Sequence, residues 1–237
     1  MAFLGPGAIP APSRPPRRNP YSDEKSLEFG FRVKRFGLIR QLIERVISEE
    51  GSAEIVDLGG TEEYWRIGKE FLRDHRGRLR ITLVNIMPQE VSDGDMFRVI
   101  VASGTDPGLL AGRNFDLVHS NSVIEHVGFW RDMQLFAGNV RRLAPRYYVQ
   151  TPNYWFAYEP HFRFPGFQFL PESLRRQMIM TMPLGFFQRI RSKEQARQII
   201  DSHRLLSTRQ MHALFPEAQI VHEKLLGMNK SIIAIRD

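Results

Sequence analysis

Apolar residues recur along this chain at two alternating periods. Phe36, Ile39, Leu42, Ile43, Val46 and Ile47 share one face at helical spacing, which predicts a helix entered from a cap at Ser22-Asp23 and stopped by Gly51. The apolar run from Glu54 to Leu58 then reads as a buried strand. Tyr64, Trp65, Ile67, Phe71 and Leu72 restart at helical spacing, predicting a helix from about Glu62 to Asp74. Further strands are expected at Leu79 to Met87, Met96 to Val101, Phe115 to Ser120 and Tyr147 to Thr151, with a helix near Trp130 to Leu143. Strands alternating with helices predict a parallel sheet that binds ligands at the carboxyl ends of its strands.

The rhythm changes at the end of the chain. Ala218 to Leu226 and Ser231 to Ile235 are strand-like runs separated only by Gly227-Met228-Asn229-Lys230, so they must pair as an antiparallel hairpin. A dinucleotide-binding sheet reaches its sixth strand through a helix instead. Between the fifth strand and this hairpin, residues of about 152–207 form a segment too long for a simple connection, which marks it as a lid or binding element. It is rich in Phe and Met, an adaptable apolar composition that suits an amphiphilic ligand, peripheral membrane contact, a homodimer, or a helical subdomain with its own small core.

Composition narrows the class. A hydrophobic content of 42% over 237 residues supplies the core of one α/β domain, expected over 22–237. Residues 1–21, with Pro10, Pro12, Pro15, Pro16 and Pro20 among Arg14, Arg17 and Arg18, are expected to form a disordered arm. The absence of cysteine excludes disulfides, thiolate metal sites and a cysteine nucleophile, and fits a reducing, cytoplasmic setting. No apolar stretch approaches the roughly 20 residues of a membrane span, and no secretory signal is evident. The net charge of +7 comes from scattered arginines and lacks an aromatic-basic motif, which argues against a nucleic-acid partner.

The chemistry-bearing stretch is Asp57-Leu58-Gly59-Gly60-Thr61, where a buried strand ends on a carboxylate and two glycines. Such a loop lets backbone N–H groups approach a ligand. Together with the terminal hairpin, residues of about 30–237 resemble the class I S-adenosylmethionine-dependent methyltransferases, in particular the small-molecule, type 11-like branch that includes ubiquinone and sterol enzymes. Phe115-Asp116-Leu117-Val118-His119-Ser120-Asn121-Ser122-Val123-Ile124-Glu125-His126-Val127 is the strongest match to that branch. The resemblance implies a Rossmann-like seven-stranded, mostly parallel α/β sheet ending in an antiparallel hairpin, with a helical and aromatic lid after the fifth strand.

The resemblance also implies S-adenosylmethionine as cofactor, held by Asp57, Gly59, Gly60 and Thr61, by Asn85 where the family carries an acid for the ribose, and by Thr105 and Asp106 on the adenine side. Ser120 and Asn121 complete that set. The chain departs from the family at Thr61-Glu62-Glu63, where further glycines are usual, and at Asn85.

Beyond the fifth strand, Tyr154, Trp155 and Tyr158 supply aromatic walls for a small or amphiphilic acceptor such as a sugar, phenol or lipid hydroxyl. An attacking hydroxyl must lose its proton, and His161, then His126, with Glu159 as an orienting carboxylate, are the expected catalytic groups. Glu159 is alternatively an exposed partner of Arg163. No metal site is expected, because the sequence shows no dense His/Asp/Glu cluster at ligand spacing. Two other functions stay open. A nicotinamide-dependent oxidoreductase would carry a full Gly-x-Gly-x-x-Gly loop, and a non-catalytic scaffolding module would explain the thinned glycine loop and Asn85.

Overall fold

The computed structural model describes residues 25–237. The expected N-terminal arm and the cap at Ser22-Asp23 lie outside the described residues. Helix α1 (Leu27–Glu50) starts at Ser26, whose hydroxyl accepts from the Phe29 N–H at 3.0 Å, and stops at Gly51 in the left-handed conformation (φ 81°). Its six apolar residues named above are all buried.

After α1 come β1 (Ala53–Leu58), α2 (Glu62–Trp65), α3 (Lys69–Asp74), β2 (Leu79–Asn85), β3 (Phe97–Val101) and β4 (Leu117–Asn121). The helix expected over Glu62 to Asp74 is broken by a 3-10 turn at Arg66–Gly68. There α1 crosses so closely that a Cβ on Gly68 would overlap the Phe36 ring. The expected alternation also fails twice: among the described residues, the β2–β3 and β3–β4 connections contain no helix. Pro88, Gly94, Gly104, Pro107, Gly108 and Gly112 punctuate those stretches and leave no room for a run of helical turns.

The chain continues through α4 (Trp130–Leu143), β5 (Arg146–Pro152), β6 (Tyr158–Glu159), β7 (Phe164–Pro165), α5 (Glu172–Thr181), α6 (Lys193–Asp201), α7 (Thr208–Leu214), β8 (Gln219–Leu225) and β9 (Met228–Arg236). The seven-stranded sheet has the order β3-β2-β1-β4-β5-β9-β8, with β1 to β5 parallel and β8–β9 antiparallel, as expected of a Rossmann-like sheet closed by a hairpin. The hairpin turn is tighter than the expected four residues. Leu226 (φ 50°) and Gly227 (φ 80°) alone make it, both left-handed, and Met228 to Lys230 join β9.

Side chains of the strands alternate between two cores. Ile55, Leu83 and Tyr148 face α1, while Val56, Leu58 and Val149 face α4 and α7. The insertion after β5 has a third core of its own, including Phe162, Phe167, Ile179, Phe187 and Ile199. Its two ends meet, because the Tyr154 N–H donates to the Leu206 carbonyl at 2.8 Å beside the Asn153–Leu206 bridge. Among the described residues, no helix is long and apolar enough to cross a membrane.

Candidate functional site

The parallel order places the carboxyl ends of β3, β2, β1 and β4 side by side, and the loop after β1 is the center of that edge. Gly59 takes a left-handed turn (φ 81°) and its N–H donates to the Val84 carbonyl at 2.7 Å. A Cβ on Gly60 would overlap the Asp57 carboxylate, so only glycine fits between the strand end and the loop.

Several polar side chains expected to face a cofactor are turned inward. Asp57 is 1% exposed; its Oδ2 accepts from the Trp65 indole N–H at 2.8 Å, and its Oδ1 lies 2.8 Å from His119 Nδ1. Asp57, expected to hold the cofactor, thus supports the loop from beneath through Oδ2. Asn85, expected at the ribose, is engaged internally as well. Its amide donates to the Gly59 and Gly60 carbonyls at 3.4 and 3.3 Å, and its oxygen accepts from the Met87 N–H at 3.1 Å. The Thr61 hydroxyl caps α2 by accepting from the Tyr64 N–H, and the buried Ser120 hydroxyl donates to the Leu58 carbonyl at 2.9 Å.

Thr105 and Asp106 remain open to a ligand. Ser103 and Thr105 share a hydroxyl–hydroxyl hydrogen bond of 2.8 Å, and the exposed Asp106 accepts from the Gly108 N–H at 2.8 Å. Asn121 Oδ1 is a buried acceptor with no hydrogen-bond partner among the described residues. Sequence reasoning missed two supports of this edge: Gln89, whose amide donates to the Gly60 carbonyl at 3.0 Å, and Asn139 of α4, whose amide donates to the Gly104 and Asp106 carbonyls at 2.9 and 2.8 Å. Neither lies in a motif, so nothing in the sequence marks them.

Beyond β4 the chain turns through Ser122, a non-glycine residue at φ 56°, tied to β5 because its N–H donates to the Gln150 carbonyl at 2.9 Å. That turn launches the 3-10 segment Ile124–His126 and carries Glu125 into the interior, 0% exposed, where its Oε2 accepts from the Thr151 hydroxyl at 2.9 Å. From the lid, Glu159 and His161 meet it. The Glu159 carboxylate accepts from His161 Nδ1 at 2.7 Å and from the Phe162 N–H at 2.6 Å.

This overturns the exposed Glu159–Arg163 pairing: Glu159 is 2% exposed, and Arg163 instead reaches Glu28 and covers the Phe186 ring. His203, unforeseen in the sequence, completes a triangle of imidazoles with His126 and His161, with ring centroids 4.7, 4.7 and 4.9 Å apart. Candidate ligand atoms of Glu125, His126 and His161 all lie within 4.8 Å of one another. The expectation that no dense His/Asp/Glu cluster exists is thus corrected, because residues remote in sequence are brought together by the lid.

Electrostatics follow the packing. Burial pushes Glu125 up to about 7. Burial, with His203 and His161 nearby, holds His126 well below the usual imidazole range, and burial brings His203 to about 3. Burial opposes the charged forms of His161 and Glu159, but their mutual attraction and hydrogen bond prevail, raising His161 and lowering Glu159.

Of the expected acceptor aromatics, Trp155 and Tyr158 are exposed and Tyr154 is half-buried. Trp155 is 68% exposed and stacks on Phe169 at 5.9 Å, Tyr154 stands edge-on to both, and Tyr158 is also exposed. A separate groove of about 780 Å³, lined in part by Arg76, Arg80, Arg98 and Arg113, opens by the amino ends of β2 and β3 and contains none of these groups.

No family model and no curated protein matches the chain. Solved structures similar to it include an O-methyltransferase family protein from Burkholderia thailandensis (12% identity, TM-score 0.47), covering 88% of this chain but only 58% of that one. A magnesium protoporphyrin IX methyltransferase from Synechocystis, with bound S-adenosylhomocysteine, covers 95% of this chain and 91% of its own (11% identity, TM-score 0.47). An N-methyltransferase from Bradyrhizobium japonicum, also with S-adenosylhomocysteine, covers 93% of each chain (10% identity, TM-score 0.47). Likenesses this distant leave the function to be argued from the chain's own residues.

Proposed function

We propose that the chain is a class I S-adenosylmethionine-dependent methyltransferase acting on a hydroxyl of a small or amphiphilic acceptor. The observation that carries this reading is the buried His161–Glu159 pair, set against Glu125 and His126 at the carboxyl ends of β4 and β5. The end of β4 is next to the glycine loop after β1, with β5 one strand beyond. The Gly59-Gly60 backbone, Ser103, Thr105, Asp106 and the unpartnered Asn121 Oδ1 suit a ligand rich in hydroxyl and amine groups, and they would hold the cofactor.

When bound, the cofactor supplies an electrophilic methyl on a sulfonium. The acceptor oxygen forms the new bond to that carbon as the carbon–sulfur bond breaks and its electron pair returns to sulfur. The hydroxyl proton passes to His161 Nε2, since Nδ1 is occupied by Glu159. Glu159 orients the ring, and Tyr154, Trp155 and Tyr158 offer apolar faces to the acceptor. We place the reaction in the cytoplasm, consistent with a chain free of cysteine.

A specific observation favors a second reading. Asp57, Asn85 and Ser120 spend their side chains on internal contacts, as a non-catalytic scaffolding module could afford to do. Calorimetric titration with S-adenosylmethionine and S-adenosylhomocysteine separates the two. Methyltransferase function predicts binding that Asp106→Ala weakens, whereas no binding by either ligand transfers the case to the scaffold. His161→Ala is then expected to lower turnover about 100-fold or more with cofactor affinity nearly intact.

A further inference from the structure

We infer that Glu125, His126 and His161 form a binding site for one divalent cation of the zinc type, with His203 beside it. The residues come from the 3-10 turn after β4, from the β6–β7 ribbon and from the segment after α6. Two imidazoles and one carboxylate are a ligand set that suits zinc and neighboring first-row cations, and three protein ligands leave a position open.

The rings are oriented as ligands are. His126 Nδ1 lies 2.9 Å from the Ser202 carbonyl oxygen, which can only accept, so Nδ1 carries the proton and Nε2 is the basic atom of the neutral ring. His161 Nδ1 donates to Glu159 in the same way. A carbonyl or carboxylate behind the ring is the usual outer partner of a metal-bound histidine, fixing its tautomer and raising its basicity. His203 shares the arrangement, with Nδ1 2.7 Å from the Ile199 carbonyl oxygen.

An independent observation points to a cation at this place. Glu125 is fully buried, and although Thr151 satisfies its Oε2, its Oε1 has no hydrogen-bond partner. A buried carboxylate oxygen without a donor is costly unless positive charge faces it. His126 Nε2 is 3.9 Å from that oxygen, beyond hydrogen-bonding distance. Tetrahedral ligands at about 2.0–2.2 Å from zinc stand roughly 3.4 Å apart. The separations here, at most 4.8 Å, therefore have to contract by up to about 1.4 Å on binding. Only the consequence rests on the methyltransferase reading. There the cation would occupy His161 Nε2 and take over its part, lowering the pKa of the acceptor hydroxyl so that its proton leaves to water.

The test uses the full chain, stripped with a chelator and dialyzed against Zn²⁺, with bound metal counted by mass spectrometry. A parallel titration with Co²⁺ follows its visible d–d bands. One equivalent of Zn²⁺, and Co²⁺ bands of a four- or five-coordinate nitrogen–oxygen site, are expected. Glu125→Gln and His161→Gln should abolish both, and Glu159→Gln should weaken affinity by about 10-fold or more through loss of the outer partner.

The wild-type measurements need no variant to fold, and absence of both bound Zn²⁺ and Co²⁺ bands overturns the inference. One equivalent retained in Glu125→Gln and His161→Gln also overturns it, since the metal would then sit elsewhere, for example on the surface His212 or His222. Separate titration of the methyl donor tells the two readings apart: donor binding without metal removes the cation alone, and metal binding without donor removes the methyltransferase alone.

Discussion

At the scale of single residues, the site edge is held by side chains whose hydrogen bonds point away from the ligand space. Asp57 shows this best. A strand-ending carboxylate before two glycines reads as a ligand contact, yet Oδ2 accepts from the Trp65 indole below the loop, and Oδ1 lies against the His119 ring without a hydrogen bond. Removing it leaves the indole N–H buried without a partner. Asp57→Ala is therefore expected to lower stability by about 1–3 kcal/mol in chemical denaturation. Asp57→Asn, which keeps one acceptor oxygen, should lose less. Equal losses in the two variants would show that the carboxylate's contacts do not set the loop.

At the scale of elements, most boundaries follow from local chemistry, and the exceptions have tertiary causes. The caps at Ser26 and Gly51 end α1, and α4 is bounded as its apolar spacing predicts. The β8–β9 turn is an exception to good local chemistry, since a two-residue turn with both φ positive is suited to Asn-Gly and holds Leu226 instead, 88% exposed. A leucine in the left-handed region costs roughly 1 kcal/mol or more relative to a residue at ease there. Leu226→Asn is accordingly expected to raise the denaturation midpoint by an amount equivalent to about 0.5–1 kcal/mol, without altering the strand register. A lower midpoint would mean that Leu226 makes contacts that outweigh its strain.

At the scale of the whole molecule, the proposed function depends on how the inserted lid is seated on the sheet. Its core of Phe162, Phe167, Ile179, Phe187 and Ile199 is separate from the two cores flanking the sheet, yet it delivers Glu159, His161 and His203 to the end of β4. Within the lid, Gly185 (φ 56°) lies so close to the backbone after β6 that a Cβ would overlap the His161 carbonyl oxygen and the Phe162 backbone. Because the neighbors are backbone, no rotamer change can relieve the overlap. Gly185→Ala is expected to displace His161 and cut turnover by about 10-fold or more while leaving the affinity for S-adenosylmethionine intact. Parallel loss of cofactor affinity would show that lid and sheet edge act as one unit.

The sequence by itself determined what depends on neighbors along the chain: the helical and strand periods, the glycine stop of α1, the glycine loop after β1 and the terminal hairpin that reverses the sheet. Those features were legible because apolar periodicity, capping and turn chemistry act over a few residues. Tertiary structure alone decided which polar groups face a ligand. Asn85 is spent on the glycine-loop carbonyls across two strands, and Gln89 and Asn139 brace loops 29 and 35 residues away. Glu125, His126, Glu159, His161 and His203 form one cluster only after the lid folds back, because hydrogen bonds and imidazole contacts depend on distance in space, which sequence separation does not encode.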